Sequence, residues 1–414
     1  MILDAARAGG FGSSGYHRDT TPEIDALAAE SLVFENAYSE CPSTACSIPN
    51  MISGLPFVHR QVADEEWRIA DRVETLAESL SGIGYRTIGI SANPKNSRAR
   101  NSDQGFDEFQ ELWNETERRR PKLQIDPHRL TRDAVETLRS VPREVPLYLQ
   151  LHYIPPHKPY DPAPEFDLFG DPDYDGIVGP GMRLKGVRSG RIELSAPDVD
   201  ELRALYDGNL RMGDDAVGRL FRALREADRW DDTVVLVTSD HGEAFFEHGE
   251  HGHNTTLYDE MLHVPFVLRL PGVDVSGVDR ERLVSLSDVV PTLLGLVGLK
   301  PHPGGVGVDL LATTADPDRT IVHRRVPYGS HYAVRGLRYK ALFSGDDPPR
   351  LFDLRGDPHE TNDVAPEDAD VVEAYRELLA RHLDAVAALG LEAGEAVELP
   401  DSDLDALQDL GYVR

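Results

Sequence analysis

Lysine, cysteine and long apolar stretches are all scarce in this sequence of 414 residues. No apolar run approaches the roughly 20 residues that a helix needs to cross a bilayer, so no membrane span is predicted. The two cysteines, Cys41 and Cys46, stand five residues apart in one segment. Such a pair is too small for a disulfide framework or a zinc site, and we predict that both are small buried loop residues.

Positive charge is scarce as well, because 72 acidic residues outnumber 43 basic ones and the formal net charge is −29. A surface of this sign repels nucleic acid and anionic lipid, so neither is an expected partner. Only six of the basic residues are lysines. An acidic, lysine-poor surface is typical of proteins from a salt-filled cytoplasm, where a Debye length of about 3 Å at molar salt screens self-repulsion. We therefore interpret the chain as halophilic; the alternative is an acidic mesophilic protein.

The chain begins with MILDAARA, which has the pattern of the last residues of a buried strand. A basic segment followed by an apolar one, as in a secretory signal peptide, is missing from this end. We therefore expect a cytoplasmic protein. Because the first strand looks clipped, an upstream start that restores it would reopen the question of export.

Short apolar runs rich in Val, Ile and Leu alternate with amphipathic stretches along most of the chain. The runs predicted as strands are the MILD segment, 87–93, 146–153, 233–240 and 264–272. The stretches predicted as helices include 22–34, 74–84 and 214–230. Continuous apolar strands alternating with helices indicate an α/β fold, with a large, mostly parallel or mixed sheet flanked by helices.

The pattern changes at 300–318, a connection rich in Gly, Pro and Asp. Closely spaced strand-like segments follow it at 320–326, 331–337, 339–344 and 350–354, and then a long helical stretch at 368–389. Strands in succession before a helix indicate a smaller α+β domain. We therefore predict a large α/β domain at 1–310 and a small C-terminal α+β domain at 311–414.

Polar side chains capable of binding a metal or a phosphate end four of the apolar runs. Asp4 ends the first, Asn93 the second, His152 the third and Asp240-His241 the fourth. Each alone is more often a helix cap or a turn former. Because ligands and catalytic groups collect at the carboxyl ends of parallel strands, their convergence predicts a functional site there.

The segment 238–260, TSDHGEAFFEHGEHGHNTTLYDE, carries the strongest single signal. It places Asp240 and His241 at a strand end. Three further histidines follow in a glycine-rich loop: His248, His251 and His253. Together with Asp4, the Asp-His pair offers two carboxylates and an imidazole to a divalent cation. The alternative is a His-rich, solvated loop.

The first part of that segment, TSDHGEAFFEHGEHGHN, resembles the second signature of the sulfatase family, within the alkaline phosphatase superfamily. Other segments match family motifs in the expected order: ILDAARA, GYHRDTTPEIDALAAESLVFENAYS, LHYIPPHKPYDP and LFDLRGDPHETNDVA. The likeness covers essentially the whole chain, and with the acidic composition it indicates a haloarchaeal-like member. It implies an alkaline-phosphatase-like fold and places the catalytic domain at 1–310.

The attacking group of the family is usually a Cys or Ser in a C/S-x-P-x-R motif, converted to formylglycine. Counted from FENAYS, that position is Thr44, while Cys46 and Ile48 replace the Pro and Arg of the motif. The resemblance implies that Thr44 is the nucleophile and a metal ligand, since a bound cation lowers the pKa of a hydroxyl. Ser47 followed by Pro49 predicts a helix start just beyond it. The alternative is that Thr44 is only a turn or capping residue.

The resemblance assigns Asp4, Asp240 and His241, together with Thr44, to one divalent cation. Ala5 stands where many sulfatases carry a second aspartate, which favours one metal over two. Oxygen ligands favour Ca²⁺ or Mg²⁺, while the nitrogen of His241 leaves Mn²⁺ or Zn²⁺ open.

The remaining candidate residues are expected to contact the substrate. His157 and His253 would contact the non-bridging oxygens of the ester or protonate its leaving group. Arg7, Asn93 and Lys158 would bind the anionic group. For the two histidines the alternative is a structural hydrogen bond, and for Lys158 it is a solvated surface position.

These assignments predict in-line attack by metal-bound Thr44 at the sulfur or phosphorus of a small anionic ester, such as a sulfated or phosphorylated sugar or alcohol. A formylglycine hydrate can eject sulfate by elimination and threonine cannot. A phosphodiesterase or phosphoglycerol-transferase-like activity therefore stands beside sulfate-ester hydrolysis. A catalytically inactive protein that binds an anion or metal is the third alternative. The oligomeric state stays open.

Overall fold

The computed structural model describes residues 1–56, 68–113, 126–312, 314–325, 331–390 and 398–410. The strands are β1 (Ile2–Leu3), β2 (Leu32–Val33), β3 (Asn36–Tyr38), β4 (Arg86–Ser91), β5 (Glu108–Glu111), β6 (Leu147–Tyr153), β7 (Val235–Thr238), β8 (Ala244–Phe245), β9 (His251–Gly252), β10 (Phe266–Arg269), β11 (Leu283–Ser285), β12 (Ile321–Arg324), β13 (His331–Arg335), β14 (Tyr339–Ser344) and β15 (Arg350–Asp353). The α-helices are α1 (Pro22–Ala28), α2 (Thr44–Ser53), α3 (Leu76–Gly82), α4 (Pro127–Ser140), α5 (Lys185–Arg188), α6 (Ala196–Glu226), α7 (Asp259–Leu262), α8 (Val289–Leu296), α9 (Ala369–Ala388) and α10 (Asp401–Asp409). Short 3₁₀ helices lie at Ala8–Gly10, Gly12–Ser14, Arg98–Arg100, Trp230–Asp232 and Leu286–Asp288.

A seven-stranded mixed sheet forms the centre of the fold, in the order β2-β10-β7-β1-β6-β4-β5. Strand β1 runs parallel to β6 and β7, and β4 runs parallel to β5 and β6. Strand β10 is antiparallel to both of its neighbours, β7 and β2. The predicted α/β class, with a large and mostly parallel or mixed sheet, is confirmed.

Helices cover both faces of this sheet because each has an apolar stripe to bury. Helices α1, α4 and α6 share one buried cluster with the central strands, to which they contribute residues such as Ile24, Leu130 and Leu210. Helices α2 and α8 contribute Ile48 and Val289 to a second cluster. The strands between these layers are therefore buried on both sides, as their continuous apolar runs predict.

Several boundaries differ from the sequence pattern. The amphipathic stretch 22–34 is helical only to Ala28, because Leu32–Val33 pairs with β10 at the edge of the sheet. The stretch 214–230 belongs mostly to a much longer helix, Ala196–Glu226, which a capping box at Ser195 starts.

A second sheet, β12-β13-β14-β15, is antiparallel throughout, as closely spaced strands allow. Helix α9 packs on it through Val372 and Leu379. The predicted order of strands followed by a long helix is thus observed, while the boundary at 310/311 stays a prediction. The end of the strand predicted at 320–326 lies outside the described residues.

Cys41 and Cys46 are buried, as predicted, but Cys46 lies in helix α2 and not in a loop, and the two are bonded to each other. The sequence pattern did not predict this single disulfide.

Among the residues that the structure describes, no helix has the length and apolarity that crossing a membrane requires.

Candidate active site

Polar side chains from four strand ends meet at the carboxyl end of the large sheet. Strands β7, β1, β6 and β4 are neighbours and run parallel, so their carboxyl ends lie together. Asp240 follows β7 by two residues, Asp4 directly follows β1, His152 is the penultimate residue of β6, and Asn93 follows β4 by two residues. All four side chains are fully buried. The convergence predicted from the strand ends is therefore present in the fold.

Two carboxylates form the acidic centre of this cluster. Asp240 accepts hydrogen bonds through Oδ1 from the backbone N–H groups of Ala5 at 3.2 Å and His241 at 3.0 Å. Its other oxygen, Oδ2, and Oδ1 of Asp4 are buried and have no hydrogen-bond partner among the described residues. Burial, and then the charge of Asp240, raises the pKa of Asp4. Unpartnered buried carboxylate oxygens are costly without a compensating cation, so this donor set fits a divalent metal ion.

His152 completes a group of three metal-competent side chains with these carboxylates. One donor atom from each of Asp4, His152 and Asp240 lies within 4.8 Å of the others. His152 Nε2 is 3.2 Å from Asp4 Oδ2. The sequence pattern placed His152 at a strand end but assigned it no role. Its spacing from the other two, about 90 to 150 residues along the chain, left no local motif to reveal it.

The orientation of His152 depends on Asn96, whose amide nitrogen lies 3.0 Å from His152 Nδ1. Asn96 Oδ1 is buried and has no partner among the described residues. The two ends of an amide exchange by a simple rotation, which would place Oδ1 where it can accept the Nδ1–H of His152. In that arrangement the lone pair of His152 Nε2 faces the carboxylates, as a metal ligand requires.

His241 has the tautomer that metal binding requires, because its Nδ1 lies 2.8 Å from the carbonyl oxygen of Gly242 and donates to it. Its Nε2 is 3.7 Å from Asp4 Oδ1 and 3.6 Å from Asp240 Oδ2. The predicted set of Asp4, Asp240 and His241 is therefore brought together. The metal role of each member stays a prediction.

Thr44 lies beside this group, with Oγ1 at 3.3 Å from His241 Nε2. It is buried and is the first residue of α2, after Ser43 as the N-cap. The expected helix start at Ser47 is therefore wrong by three residues, and Pro49 lies inside the helix. The positive end of the helix dipole is consequently at Thr44 itself.

His157 and His253 line the cluster next to His241. The ring of His253 is 4.5 Å from that of His241 and 4.8 Å from that of His157, between ring centres. His157 is tied to the site by its backbone N–H, which donates to the Asp4 carbonyl at 3.1 Å. Burial lowers the pKa of both imidazoles well below the usual value.

Glu243 is a buried member of the site that the sequence pattern did not reveal. Its Oε1 is 3.0 Å from His253 Nδ1, so it orients that ring, while its Oε2 is buried with no partner among the described residues. The signal was available in the DHGE run, where the glutamate stands two residues after His241.

The three predicted anion-binding residues differ in their placement. Asn93 is in the site, because its amide nitrogen donates to Asp4 Oδ2 and lies 3.5 Å from Thr44 Oγ1. Lys158 is partly buried; burial lowers the pKa of its ammonium, and Glu243 acts in the opposite direction. Arg7 instead pairs with Glu247, with Nη1 at 2.6 Å from Oε1. It therefore has a competing partner of its own.

Fold and site together define an α/β protein with a buried donor set that fits a divalent cation. A model of the sulfatase family matches residues 1–299, and the chain therefore belongs to that family. It is an enzyme family, and the chain is similar to an arylsulfatase of Clostridium perfringens, with 23% identity over a region that covers 93% of each protein.

Solved structures share the fold over nearly their whole length. BT4656 in complex with its substrate D-glucosamine-2-N,6-O-disulfate has a TM-score of 0.76 at 19% identity, covering 94% of this chain and 97% of that one. The phosphonate monoester hydrolase of Agrobacterium radiobacter has a TM-score of 0.71 at 20% identity, covering 96% of this chain and 99% of that one. The alkaline-phosphatase-like architecture expected from the motifs is thus confirmed.

Proposed function

We propose that this sulfatase-family enzyme hydrolyses anionic esters with Thr44 as its nucleophile, and that it favours phosphorus esters over sulfate esters. The observation that carries the proposal is the position of Thr44 Oγ1. It is buried at the start of a helix, 3.3 Å from His241 Nε2. That nitrogen is itself 3.7 Å from Asp4 Oδ1 and 3.6 Å from Asp240 Oδ2.

We assign the metal to Asp4, Asp240, His241 and Thr44, as the resemblance implies, and add His152. A divalent cation, when bound, lowers the pKa of a hydroxyl in contact with it and offsets negative charge on the transferring group. The two unpartnered carboxylate oxygens and the inward-facing imidazole nitrogens are the atoms that support this assignment.

In the first chemical step, Thr44 Oγ1 attacks as the alkoxide, its hydroxyl proton having passed to solvent before the substrate binds. The new Oγ1–P bond forms as the bond from phosphorus to the leaving oxygen breaks, with the two oxygens in line. Either His157 or His253, as an imidazolium, gives its proton to the leaving oxygen. An anionic ester bound beside these rings favours their charged forms, which opposes the effect of burial.

In the second step, water attacks the phosphorus of phospho-Thr44, the Oγ1–P bond breaks, and Oγ1 recovers its starting state. The histidine that gave up its proton takes one from the water, as microscopic reversibility requires. Neither chemical step requires an elimination from the nucleophile. Because a sulfo-threonine lacks the elimination route that a formylglycine hydrate has, the chemistry of Thr44 supports a phosphodiester or phosphonate ester as the preferred substrate.

The proposed substrate is a small anionic ester, either a sulfated or a phosphorylated sugar or alcohol. Among the similar proteins, one is named for phosphonate monoesters and one is complexed with a disulfated glucosamine. Both ester classes are therefore supported by relatives with this fold. Ile48 supports the alternative of an inactive binder, since it is fully buried in an apolar cluster where the family motif has an arginine.

A paired assay distinguishes these possibilities. The metal-loaded protein, at high salt, is given 4-nitrophenyl sulfate and bis-4-nitrophenyl phosphate in parallel. We expect a higher kcat/KM on the phosphodiester, because the threonine nucleophile can be regenerated by simple hydrolysis. Faster turnover of the sulfate would contradict the phosphorus preference. Stoichiometric metal without turnover of either ester would identify a binding protein.

A further inference from the structure

A buried ion network connects the second sheet to the segment that follows His253. Asp259, the first residue of α7, accepts from Arg335 of β13 at 2.8 Å and from Lys340 of β14 at 2.8 Å. Lys340 is fully buried and also pairs with Glu360 at 2.7 Å. Although burial alone would raise the pKa of Asp259, Arg335 and Lys340 hold it below its usual value. Burial raises the pKa of Glu360 to about 7, against the opposing effect of Lys340. We refer to Asp259, Arg335, Lys340 and Glu360 as the ion network.

Glu360 belongs to the segment LFDLRGDPHETNDVA, whose likeness to a family motif is not explained by the site chemistry. Its Oε2 accepts the backbone N–H of Asp259 at 2.7 Å. Its carbonyl oxygen lies 3.2 Å from His248 Nε2. Its φ of 52° is in the left-handed region, where a glutamate stays only if its surroundings fix it. The motif therefore contacts the segment 248–259 at His248 and at Asp259, which lie on either side of His253 in the sequence.

The same sheet also holds the segment that leads into Thr44. The guanidinium of Arg335 lies 3.7 Å from the ring centre of Tyr38 and donates to its hydroxyl. One strand away, His323 Nδ1 donates to the carbonyl of Ser39 at 2.8 Å, and the Arg324 N–H donates to that of Glu40 at 2.8 Å. Residues 38–40 are therefore fixed to the sheet four to six residues before Thr44.

We propose that the ion network is a positioning device that sets the loop carrying His253 against the loop carrying Thr44. The proposal rests on the proposed roles of those two residues. Arg335 is the link between the loops, because it contacts both Asp259 and Tyr38. Because a buried ion pair contributes little net stability against apolar residues of similar size, we assign this network to fixing one geometry. Since a displacement near 1 Å between reacting groups costs about 100-fold in rate, a geometric role predicts a kinetic effect.

Lys340→Met tests the device, because methionine keeps most of the side-chain length and removes the ammonium. We expect kcat on the better aryl ester to fall by about 10- to 100-fold, with KM changed less than about threefold, measured well below the unfolding temperature. The metal content should stay at the wild-type level. The control is Arg338→Met, which removes an exposed guanidinium paired with Asp353 in the same part of the sheet. An unchanged kcat for Lys340→Met, or an equal fall in the control, would overturn the proposal.

Glu360→Gln is the second variant, because its change in volume is small and it keeps folding risk low. We expect this variant also to lower kcat.

A double-variant cycle with Asp259→Asn and Lys340→Met should be non-additive in kcat, since both substitutions act through one network. Additive effects would show that the residues act separately and would contradict a shared device.

Hydrogen exchange separates this proposal from the proposed function. Even if no ester is turned over, Lys340→Met should accelerate amide exchange in segments 36–46 and 248–259 together, while exchange in α4 is unchanged. Faster exchange in only one of the two segments, or an equal increase in α4, would contradict the coupling. If the wild type turns over no ester but the expected exchange pattern is observed, only the proposed hydrolase function is rejected.

Discussion

Replacing Thr44 with alanine is expected to lower kcat/KM on bis-4-nitrophenyl phosphate by about 10⁴-fold or more, the scale on which removal of a nucleophile acts. The side chain lost is one hydroxyl and one methyl group, but the hydroxyl forms the new bond to phosphorus in the proposed mechanism. Thr44→Ser retains the hydroxyl and should keep most of the activity. Initial rates of metal-loaded protein measure both effects.

Ser47→Ala is the matched control for this experiment. Ser47 is also buried in α2, and its hydroxyl donates to the Ser43 carbonyl at 3.0 Å, so the variant removes a hydroxyl from the same helix without touching the site. We expect activity within a few-fold of wild type. Equal losses for the two variants would mean that damage to the helix explains the Thr44 result.

Replacing His152 with alanine is expected to weaken binding of the divalent metal by about 100-fold or more, since the loss of a ligand exceeds the 10- to 100-fold effect of an orienting residue. Asn96→Ala, which removes the group that orients His152, should weaken binding by about 10- to 100-fold. Metal content after dialysis, measured by mass spectrometry, should decrease in the order wild type, Asn96→Ala, His152→Ala.

With imidazole among the donors, we expect Mn²⁺ or Zn²⁺ to displace Ca²⁺ in a competition experiment.

His302→Ala serves as the control for the metal measurements. His302 is also buried, but its Nδ1 donates to the Ser53 carbonyl at 2.8 Å and its Nε2 lies 2.9 Å from the Ser79 hydroxyl, away from the acidic cluster. Its metal content should match the wild type. Full metal occupancy in His152→Ala, at the wild-type affinity, would exclude His152 as a ligand.

The local pattern of the chain was sufficient to predict five of the seven strands of the large sheet and the meeting of Asp4, Asn93 and Asp240. It missed β2, which falls in a stretch predicted as helical, and β5. A buried strand needs a continuous apolar run, and the residue that ends it must lie at the sheet edge. No sequence feature indicates the direction in which a strand runs. The sequence therefore could not show that β10 is antiparallel to its neighbours. The halophilic, haloarchaeal-like and cytoplasmic assignments stay predictions.

The start of α2 could not be located because Pro49 is favoured in a first turn and therefore indicated a later start. The structure begins the helix at Thr44 and accommodates Pro49 in its interior. This difference matters for the chemistry, because it places the N-terminus of the helix, the positive end of its dipole, at the hydroxyl of Thr44.

Long-range partners account for the other residues that the sequence left unassigned. His152 acquires its place only when β6 pairs with β1, and Lys340 acquires Asp259 only when two sheets pack together. The pairing of Arg7 with Glu247 likewise spans 240 residues of chain. Such contacts depend on the completed fold, and no spacing along the sequence encodes them.

The most direct test of the central claim is to locate the covalent intermediate. Metal-loaded protein at high salt is mixed with bis-4-nitrophenyl phosphate, quenched with acid within one turnover, digested and analysed by mass spectrometry. The account predicts a 4-nitrophenyl phosphoryl group on Thr44, and no such group in Thr44→Ala. A phosphoryl group on another residue, or single-turnover hydrolysis with Thr44 unmodified at every quench time, would contradict it.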